Sequence, residues 1–371
     1  MLTWVEINKK AIEHNLKKVR QHIGPDCLLM PVIKSNAYGH GILGVTKICD
    51  VSKAVDRICV VNSDEALKLI ETKTKKPIMI LSFYDLDQKI LSKLARKKVI
   101  FPVYDLEQAK ILNKVGKRVN KKIKVHLKID IGTSRLGVLP KKVVEFIKKI
   151  SKLRNLETEG IWSHFSSSEE SKQITLEQIN TFKSVLAELK NQDLPEPALK
   201  HLACSASTIL YPESYYNAIR LGLSLYGLHP SKDTKHRLEL KPALSWHTKV
   251  IQVKNVPTNT KISYGCTYNT ARPTKLAVLP VGYWDGYDRS LSNKGQVLIK
   301  GRRCPIMGRI CMNLIMVDVT AVPGLKTGEK ATLIGKQKLQ KISAEELANW
   351  ADTINYEIVD RINPLTPRIY I

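Results

Sequence analysis

Eight short apolar segments recur through the first two-thirds of the chain, and their spacing restricts the fold more than any other feature. They are Leu28–Ile33, Ile58–Val61, Ile78–Leu81, Val99–Val103, Ile123–Asp130, Gly160–Phe165, Lys200–Cys204 and Ala218–Leu221. Most are followed by an amphipathic stretch, and before the first of them Ile12, Leu16 and Val19 share one face at helical spacing. Asn62 with Glu65, and Asp105 with Gln108, stand at capping-box spacing where two of the intervening helices should start. Eight strand-helix units predict an α/β fold, a closed (β/α)8 TIM barrel that gathers chemistry at the carboxyl ends of its strands. A doubly wound open sheet would give a similar pattern. The residues at those ends are Lys34, Asn62, Tyr104, Arg135, His164, Ser205 and Arg220, more reactive groups than a rim needs for stability.

From Leu240 onward the pattern changes. Trp246–Val253, Lys275–Val281, Gln296–Lys300, Ile310–Val319 and Lys330–Ile334 read as strands separated by Pro and Gly turns. One helix interrupts over Ala344–Thr353, opened by Ser343, and Tyr356–Ile362 and Pro367–Ile371 read as extended. The polar run Ser231–Arg237 places a boundary near residue 238. A barrel domain over 1–238 and a mainly β C-terminal domain over 239–371 are expected.

Seven scattered cysteines with no CxxC pair favour reduced thiols over a disulfide framework or a metal site. No apolar run is long enough to cross a bilayer and the opening residues lack the apolar centre of a signal peptide, which predicts a cytoplasmic protein without a membrane partner. The net charge of +26 raises the possibility of a nucleic-acid partner. Its distribution argues against one: the lysines are spread along predicted helices as pairs such as Lys17-Lys18, Lys75-Lys76 and Lys148-Lys149, as on a solvated face.

The first barrel segment stops at a lysine, in Met30-Pro31-Val32-Ile33-Lys34-Ser35-Asn36-Ala37-Tyr38-Gly39-His40-Gly41. A low-dielectric floor beneath Lys34 disfavours its ammonium form and leaves an amine able to attack a carbonyl, whereas the plainer reading is a snorkelling surface lysine. Tyr38 and His40 could meet an anion where the next helix begins. The run Ile33–Gly41 resembles the pyridoxal phosphate (PLP) attachment signature of bacterial alanine racemases, departing in Ser35. Ile262-Ser263-Tyr264-Gly265-Cys266-Thr267-Tyr268 resembles the catalytic tyrosine segment of the same family, and further motifs follow in the family's order.

The resemblance implies that Lys34 carries PLP and handles the α-proton of the D-enantiomer. Tyr264, from the partner subunit of a head-to-tail homodimer, would handle that of the L-enantiomer. Two bases are needed because one lysine returning its own proton would mostly regenerate the starting enantiomer. His164 matches the histidine that bonds this tyrosine, and Arg220 the arginine facing the PLP ring nitrogen. Tyr38, Ser205, Gly222, Leu223 and Tyr356 match the phosphate contacts, with Cys204 in place of the family's usual asparagine. Arg135 matches the arginine that bonds the cofactor's phenolic oxygen and the substrate carboxylate. Lys128 matches a lysine often carbamylated in the family. Met312 would offer its N–H to the substrate carboxylate, while Tyr283, Glu169, Arg289 and Arg309 match an entry channel. Ile131, Thr133 and Asn313 depart from the family's usual residues. The implied function is PLP-dependent interconversion of L- and D-alanine, with D-alanine biosynthesis or breakdown as its setting and no metal. A racemase of broader or serine or lysine specificity on the same scaffold, and a non-catalytic basic binding protein, are the alternatives.

Overall fold

The structure, a computed structural model, describes residues 1–371 and separates into two compact units. One comprises Lys10–Lys34 and Ile42–Pro242; the other comprises Met1–Lys9, Ser35–Gly41 and Ala243–Ile371. Two short pieces of the N-terminal half therefore associate with the C-terminal residues.

The first unit is a closed ring of eight parallel strands. They are Leu28–Pro31, Ile58–Val60, Ile78–Ile80, Phe101–Val103, Ile123–Lys128, Leu156–Trp162, Leu199–His201 and Ala218–Leu221. The fourth to seventh strands, from Phe101–Val103 to Leu199–His201, pair side by side in order, and the first strand pairs with the last, Leu28 opposite Ala218 and Pro31 opposite Leu221. The Val32–Cys59 and Met79–Ile100 bridges and the Arg220 N–H bond to Ala203 O close the remaining seams. This is the barrel, not the open sheet. The helix Lys9–Ile23 buries Ile12, Leu16 and Val19 completely, each contributing about 1.5–3 kcal/mol. Asn62 and Asp105 cap the helices Ser63–Glu71 and Leu106–Val119 as expected, Asn62 accepting from the Glu65 N–H and Asp105 from those of Glu107 and Gln108. Asn62 therefore has a structural task at the rim.

The second unit is mainly β. Its larger sheet runs Arg302–Pro305, Gln296–Ile299, Lys330–Gln337, Leu244–Lys249, Thr3–Ile7 and Arg368–Tyr370. The opening strand lies antiparallel to Leu244–Lys249 and parallel to Arg368–Tyr370. A three-stranded sheet holds Gln252–Val256, Thr274–Leu279 and Ile315–Asp318. The stretch expected as one strand over Trp246–Val253 is two: the Val250 N–H bonds Glu329 O while that of Ile251 turns to Val278 O, so the chain changes sheets there. The strand expected over Ile310–Val319 begins only at Ile315, because the Cys311 N–H turns back onto Leu314 O. Tyr356–Ile362 is not extended but enters a helix, Asn355–Asp360. Burial of Ile358 and Val359 on one side, with Thr353 Oγ1 donating to the Glu357 carboxylate, overrides the extended preference of the β-branched pair.

Ser35, Asn36, Ala37, Tyr38 and Gly39 all have positive φ, one turn of left-handed helix. Such a conformation costs roughly 1–2 kcal/mol for each non-glycine residue. It is held by its own unit: Arg368 Nε donates to Gly39 O at 3.1 Å, and Tyr370 Oη to His40 O and Gly41 O at 2.8 and 2.9 Å. At Gly39 a Cβ would fall 1.9 Å from Val359 O, so the backbones touch where only glycine fits.

Candidate active site

The barrel places the sequence-predicted residues of its unit at the carboxyl ends of its strands. Lys34 follows the first, Lys128 ends the fifth, His164 lies two residues past the sixth, and Ser205 opens the helix Ser205–Leu210 after the seventh. Arg220 lies in the eighth strand, with Gly222 and Leu223 beyond it.

Arg220 is buried and anchored on every side. Its NH1 donates to His201 Nδ1 at 2.6 Å and His201 O at 3.1 Å; its NH2 donates to Ser163 O at 2.7 Å and Leu202 O at 3.0 Å and lies 3.5 Å from His164 Nδ1. These partners are carbonyls and imidazoles, none a carboxylate. Burial brings the guanidinium down to about 10, still a cation at neutral pH. The Arg220 guanidinium and Lys128 Nζ each lie 4.6 Å from the centre of the Trp162 ring.

Lys128 is buried and donates to Leu81 O at 3.3 Å. Burial, then the charges of Arg135 and Arg220, brings its amine down to about 7. Burial likewise holds the His164 imidazole well below its usual range, reinforced by the charges of Arg220, Arg135, Lys128 and Lys34. Because a guanidinium has only donors, His164 Nδ1 is the acceptor of its contact with Arg220, and the ring is neutral. Four basic side chains, two of them guanidinium cations, thus converge on one imidazole at the rim, an arrangement that attracts anions.

Arg135 is exposed, on a loop organised by a residue that sequence reasoning missed. Asp130 Oδ1 accepts from the N–H groups of Gly132, Thr133 and Ser134 at 3.0–3.1 Å, and Oδ2 from that of Arg135 at 3.1 Å. Burial alone would raise this carboxyl; the four N–H groups hold it below the usual range. The Asp-x-Gly-Thr-Ser order of residues 130–134 was the available signal, an aspartate turning the chain onto its own carboxylate. Ser205 gathers backbone donors in the same way, its Oγ accepting from Gly222 N–H at 3.0 Å and Ser224 N–H at 3.3 Å. Cys204, the departure from the usual asparagine, sets its Sγ 3.3 Å from the Ser168 hydroxyl.

The other predicted residues belong to the β unit. The rings of Tyr38 and Tyr356 lie 6.1 Å apart, tilted 45°. His40 is buried and Nδ1 donates to Tyr38 O at 2.8 Å, so this nitrogen stiffens the turn instead of meeting an anion. Tyr264 is 72% exposed. Ser263, at φ 64°, donates from Oγ to Arg309 O at 2.5 Å and holds the Tyr264 turn against that loop. Met312 and Tyr283 are also exposed; Tyr283 N–H bonds Cys311 O and Trp284 N–H bonds Met312 O, docking the two turns together.

An eight-stranded parallel barrel with a lysine and clustered basic side chains on its carboxyl rim, continued by a mainly β unit, is the frame of a barrel enzyme, and the rim chemistry suits an anionic ligand. Residues 7–230 match the model of the alanine racemase N-terminal domain and residues 243–370 that of the C-terminal domain. The alanine racemase of Methanococcus maripaludis is 44% identical over 371 residues, covering 99% of this chain and 98% of that protein, and that of Halothermothrix orenii is 42% identical over 369, covering 99% and 96%. Among solved structures, alanine racemase from Bacillus anthracis with bound L-Ala-P superposes with a TM-score of 0.91 at 35% identity, covering 100% of this chain and 95% of that one. The Clostridium difficile 630 enzyme gives 0.92 at 34%, covering 100% and 96%. The chain belongs to the alanine racemase family, enzymes of the isomerase class.

Proposed function

We propose that this protein interconverts L- and D-alanine, using pyridoxal 5′-phosphate. The observation that carries the reading is the cluster of basic side chains at the barrel rim, Lys34, Lys128, Arg135 and Arg220 around a neutral His164. A phosphorylated cofactor and a carboxylate substrate would relieve their mutual repulsion, so the residues fit the group. Ser205, Gly222 and Leu223, with Tyr38 and Tyr356, would hold its phosphate, and Lys34 its aldehyde carbon. When bound, PLP withdraws electrons from the amino acid and weakens the bond to its α-hydrogen.

The chain's own groups then decide the outcome. Lys34 Nζ takes and returns a proton on one face, and the Tyr264 phenolic oxygen of a second copy on the other; two donors on opposite faces make inversion possible. Arg220, charged throughout and without an acceptor, would face the cofactor's ring nitrogen without taking up or giving a proton, which would favour proton return over transamination. Arg135 and the Met312 N–H orient the substrate carboxylate, and Tyr283 narrows the approach. The exposure of Tyr264, Met312 and Tyr283 supports their delivery to a partner in a homodimer. Residues 1–238 would carry most of the cofactor's contacts and 239–371 Tyr356 and the reach to the partner, in a cytoplasmic enzyme of D-alanine metabolism.

The test is chiral analysis of L-alanine incubated with the protein: D-alanine should accumulate with wild type and not with Lys34→Ala or Tyr264→Ala. Mixing the two inactive variants under subunit exchange should restore about one quarter of wild-type activity, since half of random dimers hold one intact site of two. No recovery from folded, exchanging dimers would refute the shared site.

A further inference from the structure

Behind Arg220 the barrel interior holds a chain of polar side chains that the reaction does not touch. Arg220 NH1 meets His201 Nδ1 at 2.6 Å, His201 Nε2 meets His126 Nδ1 at 2.8 Å, and His126 Nε2 meets Glu159 Oε2 at 2.9 Å. Arg57 NH1 and NH2 grip the same carboxylate at 2.5 and 3.1 Å, and Lys124 Nζ bonds it at 2.6 Å. Both imidazoles are fully buried, His201 stacked on Trp162 at 5.5 Å and 11°.

The two ends fix everything between them. A guanidinium can only donate and an ionised carboxylate can only accept, so His201 Nδ1 accepts, its Nε2 carries the hydrogen, His126 Nδ1 accepts, and its Nε2 carries the next. Every hydrogen bond therefore points from Arg220 toward Glu159. Burial lowers both imidazoles, with the charge of Arg220 acting further on each, which keeps them neutral; the His126 N–H and the two cations Arg57 and Lys124 hold Glu159 ionised against burial. Gly160 makes the arrangement possible, since a Cβ there would lie 2.5 Å from His126 Nδ1.

We infer that Glu159, His126 and His201 are positioning residues that lock Arg220 from behind: each ring, by donating toward the Glu159 carboxylate, becomes a better acceptor for the group before it, so that His201 moderates the guanidinium's pull on whatever faces it. A carboxylate in direct contact would cancel the charge and an unpolarised ring would leave it unmoderated; a neutral ring polarised through a second one gives an intermediate strength. Resting on the proposed racemase reading, the inference predicts that a broken chain strengthens electron withdrawal by Arg220 and diverts turnovers into transamination.

The experiment uses full-length, cofactor-loaded protein. With 15N-histidine labelling, His126 and His201 should both appear as neutral Nε2–H tautomers that do not titrate between pH 6 and 8. Glu159→Gln, which keeps shape, and Gly160→Ala, which displaces His126, should each raise the ratio of transamination to racemisation about fivefold, the worth of one hydrogen bond. Either ring as an Nδ1–H tautomer or an imidazolium in that range would overturn the inference, as would an unchanged ratio in a folded variant. The tautomers are read without turnover, so absence of racemisation by the wild type would count against the proposed function alone.

Discussion

Replacing Gly39 with alanine adds one carbon to the turn that follows Lys34, and the structure sets the size of the effect. Gly39 has φ +77°, which costs a Cβ-bearing residue roughly 1–2 kcal/mol. Its Cβ would lie 1.9 Å from Val359 O and 2.8 Å from Val359 C, both backbone atoms of a helix that cannot swing aside as a side chain can. Overpacking of this kind costs typically ~1–3 kcal/mol, for a total of about 2–5 kcal/mol. Gly24 supplies the control: its φ is +81°, and a Cβ there meets nothing within 4 Å. Gly24→Ala should lose only the conformational part. Urea denaturation of the two variants separates the terms, and cofactor uptake by Gly39→Ala should fall as the displaced turn drags on Lys34. Equal midpoints for the two variants would refute the argument that backbone contact, not φ alone, demands glycine at 39.

Asp130→Ala removes the acceptor of four backbone N–H groups; substrate KM should rise more than kcat falls, and limited proteolysis should cut within residues 131–137 faster than in wild type. Lys128, brought to about 7, is mostly neutral at pH 8, and a neutral amine adds to carbon dioxide with loss of a proton. Protein in 13C-bicarbonate should give a carbamate resonance at pH 8 that fades below pH 7 and is missing in Lys128→Arg; no resonance at pH 8 would refute it. His40, brought to about 4 by burial, stays neutral in the folded chain while the unfolded chain takes its proton near 6.5, so the unfolded state binds more protons in between and stability rises with pH through that window. From this group alone, stability should fall by about 3 kcal/mol between pH 6.5 and 4, and His40→Gln should flatten the slope measured by denaturation.

The barrel was legible because its strands are short, buried on both faces and therefore apolar throughout, and because residues such as Asn62 and Asp105 mark helix starts with their own side chains. Lys34, His164, Ser205 and Arg220 were legible as polar residues at the ends of such runs. The left-handed turn was not. Ser35, Ala37 and Tyr38 carry no local preference for positive φ, and their conformation is imposed by Arg368, Tyr370 and Val359, more than three hundred residues later. Nor was the helix Asn355–Asp360, whose β-branched residues favour a strand until burial decides otherwise. His126 and His201 escaped notice because single histidines on barrel strands have no spacing to betray them; only the closing of the ring brings them within hydrogen-bonding distance.

The opening strand has a history as well as a place. Thr3 sits beside Thr248, 245 positions further along. At ~5–20 residues per second a ribosome needs roughly 12–50 s to deliver that partner, and longer to deliver Arg368–Tyr370. Throughout that interval the strand has both edges bare and the Ser35–Gly41 turn lacks the residues that clasp it. The barrel segments are all made before then, but the Ser35–Gly41 turn gains its clasp only once Arg368 and Tyr370 have been made, so one of the earliest loops in the chain is among the later ones to set.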